Sequence, residues 1–171
     1  MKTITLLRHA KSSWDDAGAA DIDRPLSPRG KRDCKAVREV IAALKPELVL
    51  CSSALRTRET LERIKAALPS ERTDAIEARL YLASAARLLA RLKQVDDAVD
   101  SVLLIGHNPG LQRLALLLAG RGDAPVLTRL AAKFPTAAIA RLAFSGRRWR
   151  DLDAGAAELK QLWSPKDGDG G

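Results

Sequence analysis

Val102-Leu103-Leu104-Ile105-Gly106-His107-Asn108-Pro109 is an apolar run ending in glycine, histidine and an Asn-Pro step. Four consecutive aliphatic residues bounded by a turn signal read as a strand buried on both faces. After Pro109, Leu111, Leu114, Ala115 and Leu118 recur at helical spacing. The stretch is therefore a strand–turn–helix unit, and strands alternate with helices along much of the rest of the chain. Ile4 to Leu7 is an apolar run that ends in Arg8-His9. Ser27 and Pro28 suit the cap and first position of a helix carrying Cys34, Val37, Ile41 and Leu44, closed by Pro46. Leu48 to Cys51 is the next strand, followed by a helix from about Ala54 to Leu68 that Pro69 stops.

Thr73 to Ile76 reads as a weaker strand, and Ala85, Leu88, Leu89 and Leu92 mark another amphipathic helix. Trp14 to Asp23 has no periodicity and reads as a loop. Ala137 to Phe144 and Arg148 to Leu152 read as two late strands, joined as a hairpin through Ser145-Gly146. Strands alternating with helices predict an α/β fold: a three-layer sandwich with a largely parallel central sheet and helices on both faces. Residues 1–165 are expected to form a single domain and 166–171 a flexible tail.

No apolar run reaches the ~20 residues needed to span a bilayer, and the N-terminal run is too short for a signal peptide. A cytoplasmic, membrane-free protein is expected. Cys34 and Cys51 lie on apolar stripes and form no CxxC pair, so both read as small core residues. The formal net charge of +8 can attract nucleic acid, acidic lipids or phosphorylated substrates, but it is spread along the chain and reads first as a solvated surface. Nucleic acid fits less well, since aromatics make up only 4% and no basic stripe is interleaved with them.

In sheets of this kind ligands bind beyond the carboxyl ends of the strands. Both histidines of the chain stand there, His9 after the first strand and His107 after the clearest one. The second strand leads into Ser52-Ser53 and a helix bearing Arg56 in its first turn. One histidine alone would read as a satisfied core residue. Two, with arginines beside them, read as a site for phosphoryl transfer. A neutral imidazole can attack phosphorus, and guanidinium groups match phosphate oxygens with paired donors. Arg8 and Arg56 are the candidate clamps, His107 a candidate donor, and the amides opening the helix after Pro109 would point the same way. Two histidines without HExxH or a cysteine cluster make a poor metal site, so neither metal nor cofactor is expected.

At these residues the sequence resembles the histidine phosphatase superfamily, the phosphoglycerate mutase-like fold, and within it the short phosphohistidine phosphatase SixA branch. The resemblance rests on four ordered elements: Leu7-Arg8-His9-Ala10-Lys11-Ser12, Leu26-Ser27-Pro28-Arg29-Gly30, Ser52 through Arg56 to Thr60, and Gly106-His107-Asn108-Pro109. It implies that His9 is the phosphoacceptor and that Arg8, Arg56, His107 and Ser12 form the phosphate pocket. Arg58 is a rival to Arg56 but lacks the Ser and Thr offsets. Asp15 stands where many relatives have a phosphate-contacting asparagine. A carboxylate there would repel phosphate, which places it at the rim.

Relatives acting on esters carry a glutamate acid between the second arginine and second histidine. The corresponding stretch here, Ala78 to Ala83, has no carboxylate, and Asp15, Asp74 and Glu77 are the remaining candidates. The resemblance thus implies a phosphatase acting on phosphohistidine of a partner protein. Alternatives are a small-molecule phosphomonoesterase for a sugar phosphate or nucleotide-derived ester, and a non-catalytic phosphate- or nucleic-acid-binding module.

Overall fold

The computed structural model describes residues 1–168. Its strands are β1 (Lys2–Arg8), β2 (Leu48–Ser52), β3 (Thr73–Glu77), β4 (Ser101–Gly106), β5 (Ala119–Gly122), β6 (Ile139–Phe144) and β7 (Ala157–Trp163). Its helices are α1 (Pro28–Ile41), α2 (Leu55–Ile64), α3 (Ala85–Leu92), α4 (Gly110–Leu118), α5 (Ala124–Ala132) and the single turn α6 (Pro165–Gly168). The last part of the expected tail, 169–171, lies outside the described residues. The strands form one sheet in the order β3-β2-β4-β1-β6-β7-β5. β3, β2, β4 and β1 are mutually parallel, β6 is antiparallel to both β1 and β7, and β5 is parallel to β7. Only β6 runs against the rest.

The continuous apolar runs are explained by two cores, one on each face of the sheet. Val102 and Leu104 of β4 join Ile4, Leu6 and Leu50 in a cluster with side chains of α3, α4 and α5. Leu103 and Ile105 join Leu7, Val49 and Cys51 against α1 and α2. This is the three-layer arrangement, with helices on both faces of a largely parallel sheet, that the sequence predicts. Each of the four β4 residues is fully buried, and such burial stabilises by roughly 1.5–3 kcal/mol per side chain. Cys34 and Cys51 are buried and unpaired, and burial raises their thiols to about 11 and about 12.

The Leu26–Gly30 element has a mechanical role. The Ser27 hydroxyl accepts from the Gly30 amide at 3.1 Å and donates to the Lys11 carbonyl at 3.1 Å, while the Ser27 amide donates to the same carbonyl at 2.9 Å. A Cβ on Gly30 would sit 2.1 Å from the Lys11 oxygen. The first turn of α1 therefore presses directly on the backbone that follows His9.

The late hairpin differs from expectation. Residues Trp149–Asp151 form a 3₁₀ turn, not a strand, and the partner of β6 is β7. Trp149 plugs the core, its Nε1 donating to the Val99 carbonyl at 2.7 Å. The apolar residues of 148–152 thus mark a plug. The strand is marked instead by alternation: Ala157 and Leu159 point inward, Glu158 and Lys160 outward. β5 and α5 were unexpected too. Ala119-Gly120-Arg121-Gly122 carries no apolar pattern, because this edge strand is admitted by close backbone approach: a Cβ on Gly120 would meet the Gly155 oxygen at 2.0 Å. Among the described residues no helix is long and apolar enough to cross a membrane.

Candidate active site

The register of β1 against β4 pairs Arg8 with Gly106. The next residue of each strand is a histidine, so His9 and His107 emerge side by side, with ring centroids 5.4 Å apart. β2 lies on the other side of β4, and the Ser52 hydroxyl at its end is 2.7 Å from His107 Nε2. Arg56, in the first turn of α2, is almost fully buried. Thr60 fixes that helix: it accepts from the Ala10 amide at 3.1 Å and donates to the Arg56 carbonyl at 2.7 Å. Ser52, Arg56 and Thr60 therefore have separate tasks: one holds His107, one lines the site, one ties α2 to the chain beside His9. Arg8, His9, Ser12, Arg56 and His107 all line one pocket of about 320 Å³, at the small end of the range for ligand sites.

His9 Nδ1 lies 2.7 Å from the Ala10 carbonyl. A carbonyl only accepts, so Nδ1 carries the proton and Nε2 keeps its lone pair. The neighbour of Nε2 is Arg56 Nε at 3.4 Å. Burial, with the nearby charges of His107, Arg56 and Arg8, pushes the His9 pKa down to about 3 against the opposing pull of the Ala10 carbonyl. Burial and Arg56 bring His107 to about 4. The Ser52 oxygen accepts from the Ala54 amide at 3.4 Å and keeps both a proton and a lone pair for His107 Nε2. When the hydroxyl donates, His107 Nδ1 holds the ring proton, and that nitrogen is buried without a partner. Arg8 Nε is buried and unpartnered as well, while its Nη1 donates to the Phe134 carbonyl at 3.0 Å. A buried donor left unpaired costs about 1–3 kcal/mol, a cost that an oxyanion in this pocket would remove.

These shifts carry a sign. Both folded-state values lie below the unfolded 6.5, so between about pH 3 and 6.5 the unfolded chain binds more protons. Stability from this source is complete above 6.5 and is lost as pH falls, amounting to several kcal/mol by about pH 4. Imidazole NMR should show both rings neutral at pH 5.5, and urea midpoints should fall steadily below pH 6.5. A midpoint near 6.5 for either ring would contradict the buried geometry.

Sequence reasoning missed Asp21 and Arg24, which line the pocket, and Tyr81, which bonds to Asp21. Arg56 donates through Nη1 to the Asp21 carbonyl at 2.7 Å and through Nη2 to the Asp21 carboxylate at 3.1 Å. The Tyr81 hydroxyl donates to that same carboxylate oxygen. Arg24 spans the wall, with Nε on Asp21 Oδ1 at 3.2 Å and Nη1 on the Ser12 hydroxyl at 2.9 Å. The Tyr81 hydrogen bond, with Arg56 and Arg24, holds the Asp21 carboxyl at about 2. The available signal was the charged cluster Asp21-Ile22-Asp23-Arg24, inside a loop bounded by two site elements.

Other expectations resolve as follows. The helix start after Pro109 is less open than expected: the Leu111 amide is spent on the His107 carbonyl and the Gln112 amide on Asn108 Oδ1. Asp15 is exposed and, like Asp74 and Glu77, does not line the pocket. Asp74 pairs with Arg72 at 2.8 Å. Glu77 is clamped by Arg91 at 2.9 Å and Arg79 at 2.7 Å; burial opposes, but these partners hold its carboxyl below the usual range. Arg58 is exposed and donates to the Ser53 carbonyl. Among the described residues no three His, Cys, Asp or Glu side chains gather as a metal site would require.

Residues 4–81 match the sequence model of the histidine phosphatase superfamily, branch 1. A Mycobacterium tuberculosis protein of unassigned function is 38% identical over 164 residues, spanning 94% of this chain and 100% of its own. A chloroplastic Arabidopsis thaliana protein is 30% identical, over 96% of this chain and 78% of its own. Among solved structures, a candidate phosphohistidine phosphatase SixA from Nakamurella multipartitia superposes with a TM-score of 0.83 at 26% identity, covering 96% of each chain. The protein histidine phosphatase SixA in complex with tungstate superposes with a TM-score of 0.76 at 25% identity, over 96% of this chain and 98% of that one. The ordered motifs, the sheet that brings them together and these matches have one common explanation: the chain belongs to the histidine phosphatase superfamily and is SixA-like within it.

Proposed function

We propose that the chain is a phosphatase that passes phosphate through a covalent phosphohistidine on His9 Nε2, and that its substrate is phosphohistidine on a protein. The observation that carries this reading is the pairing of a neutral His9, whose Nε2 lone pair accepts only a long 3.4 Å contact from Arg56 Nε, with two buried nitrogens that lack a partner, Arg8 Nε and His107 Nδ1, in one pocket. The tungstate held by the SixA relative is an oxyanion with the shape of phosphate, which supports placing phosphate here. In the first step a bond forms between His9 Nε2 and phosphorus as the bond from phosphorus to the substrate nitrogen breaks. In the second, water attacks phosphorus and Nε2 recovers its lone pair. Arg8, Arg56 and His107 hold the phosphoryl oxygens, and no metal or cofactor enters the scheme.

The leaving group decides between a P–N and a P–O substrate. An alkoxide needs a proton as it departs. The carboxyl nearest the pocket, Asp21, is ionised at about 2 and already engaged by Arg56 and Tyr81. Phosphoimidazole needs less help, because its ring can already carry the proton. The decisive comparison is kcat/KM on a phosphohistidine peptide, p-nitrophenyl phosphate and a sugar phosphate. The peptide is expected to exceed the sugar phosphate by at least about tenfold. An equal or better rate on the esters would reject the P–N reading in favour of a small-molecule phosphomonoesterase.

A further inference from the structure

Trp14 is 70% exposed at the lip of the phosphate pocket, an unusual place for so large an aromatic surface. Its ring is not loose. The Arg24 guanidinium lies 3.5 Å from the ring centroid, and Arg24 is itself buried and pinned by Ser12 and Asp21. One face of the indole is thus backed by a fixed cation while the rest meets solvent. Leu82 lines the same pocket, is 55% exposed and is held at φ 48°. A leucine rarely occupies that left-handed region, and such strain collects at functional sites.

We infer that Trp14, stiffened by Arg24, and Leu82 form the platform for the leaving group, and that the group it takes is a flat heteroaromatic ring such as the imidazole of a phosphorylated histidine side chain. This rests on the phosphatase reading above. In-line displacement puts the departing atom opposite His9 Nε2, so the leaving group projects from the buried floor toward the mouth. There it meets aromatic and aliphatic surface. A sugar would need free hydrogen-bonding groups, and two polar side chains of the pocket wall, Asn108 and Ser12, are already engaged, which leaves Lys11 and Thr136. Asn108 Nδ2 donates to the Phe134 carbonyl at 2.9 Å, its Oδ1 accepts from Gln112, and Ser12 accepts from Arg24.

The test compares the protein with Trp14→Ala and Trp14→Phe on two P–N donors, a phosphohistidine peptide and phosphoramidate, which lacks a ring. The alanine variant should lose about tenfold in kcat/KM on the peptide, mainly through KM, with phosphoramidate turnover and orthovanadate inhibition little changed. Trp14→Phe should restore most of the loss. Equal losses on both donors would overturn the platform and leave Trp14 as a support for Arg24. If the unmodified protein turns over neither P–N donor, the P–N reading fails. The platform is then read on phenyl phosphate against ethyl phosphate: a loss confined to the aryl ester upholds it, and equal losses sink it.

Discussion

Replacing His9 with alanine is expected to lower turnover of every phosphodonor by about 10⁴-fold or more, since the proposed mechanism makes it the group to which phosphorus bonds. The residue is suited to that role by three features acting together. Its Nδ1 is tied to the Ala10 carbonyl. Burial keeps the ring neutral, with a pKa of about 3. Its Nε2 faces the pocket beside Arg56. The loss should come with a second readout. A brief reaction with labelled phosphodonor should leave acid-labile, base-stable phosphate on the unmodified protein and none on His9→Ala. Orthovanadate should still bind the variant, because Arg8, Arg56 and His107 remain. A non-catalytic phosphate-binding module would give the opposite pattern, with binding intact, no label in either protein and no turnover to lose.

The parts of the fold legible in sequence were those whose residues answer to burial alone. β2 and β4 are buried on both faces as runs of aliphatics, and β1 is buried the same way through Ile4, Leu6 and Leu7 around Thr5. β7 is hard to read because it is buried on one face only, and the bulky Trp149 and Leu152 compete with it although residues 149–151 form a 3₁₀ turn. The candidate site divides in the same way. His9, His107 and Arg56 follow directly from strands or a first helical turn, so a correct strand assignment brings them together. Asp21 and Arg24, which line the pocket, and Tyr81, which bonds Asp21, arrive by way of a loop and a 3₁₀ turn, whose paths are set by side-chain hydrogen bonds rather than by periodicity. The stretch 78–83 shows the consequence. It was read for a missing carboxylate, but it supplies Tyr81, which bonds a carboxylate arriving from 60 residues earlier.

That carboxylate makes Arg56 the second residue whose replacement should have a large effect. Arg56→Ala is expected to cost about 10²- to 10³-fold in kcat/KM, the scale for removing one preorganised charge from a transition state. Arg56→Lys should recover only part of it, because a point charge cannot reproduce the fork that spans His9, the Asp21 carbonyl and the Asp21 carboxylate. A loss below about tenfold for alanine would remove Arg56 from the clamp. Asp21 should respond in the opposite direction. Its carboxylate holds one Nη2 hydrogen and puts a negative charge at the wall of a pocket proposed to take phosphate, whereas its carbonyl holds Nη1 through the backbone and survives any side-chain change. Asp21→Asn therefore removes the repulsion and keeps most of the guanidinium's orientation, so orthovanadate should inhibit this variant more tightly than the unmodified protein. Weaker inhibition would mean that the carboxylate serves to aim Arg56 and does not compete with phosphate for it. Because the two effects carry opposite signs, one inhibition constant separates them.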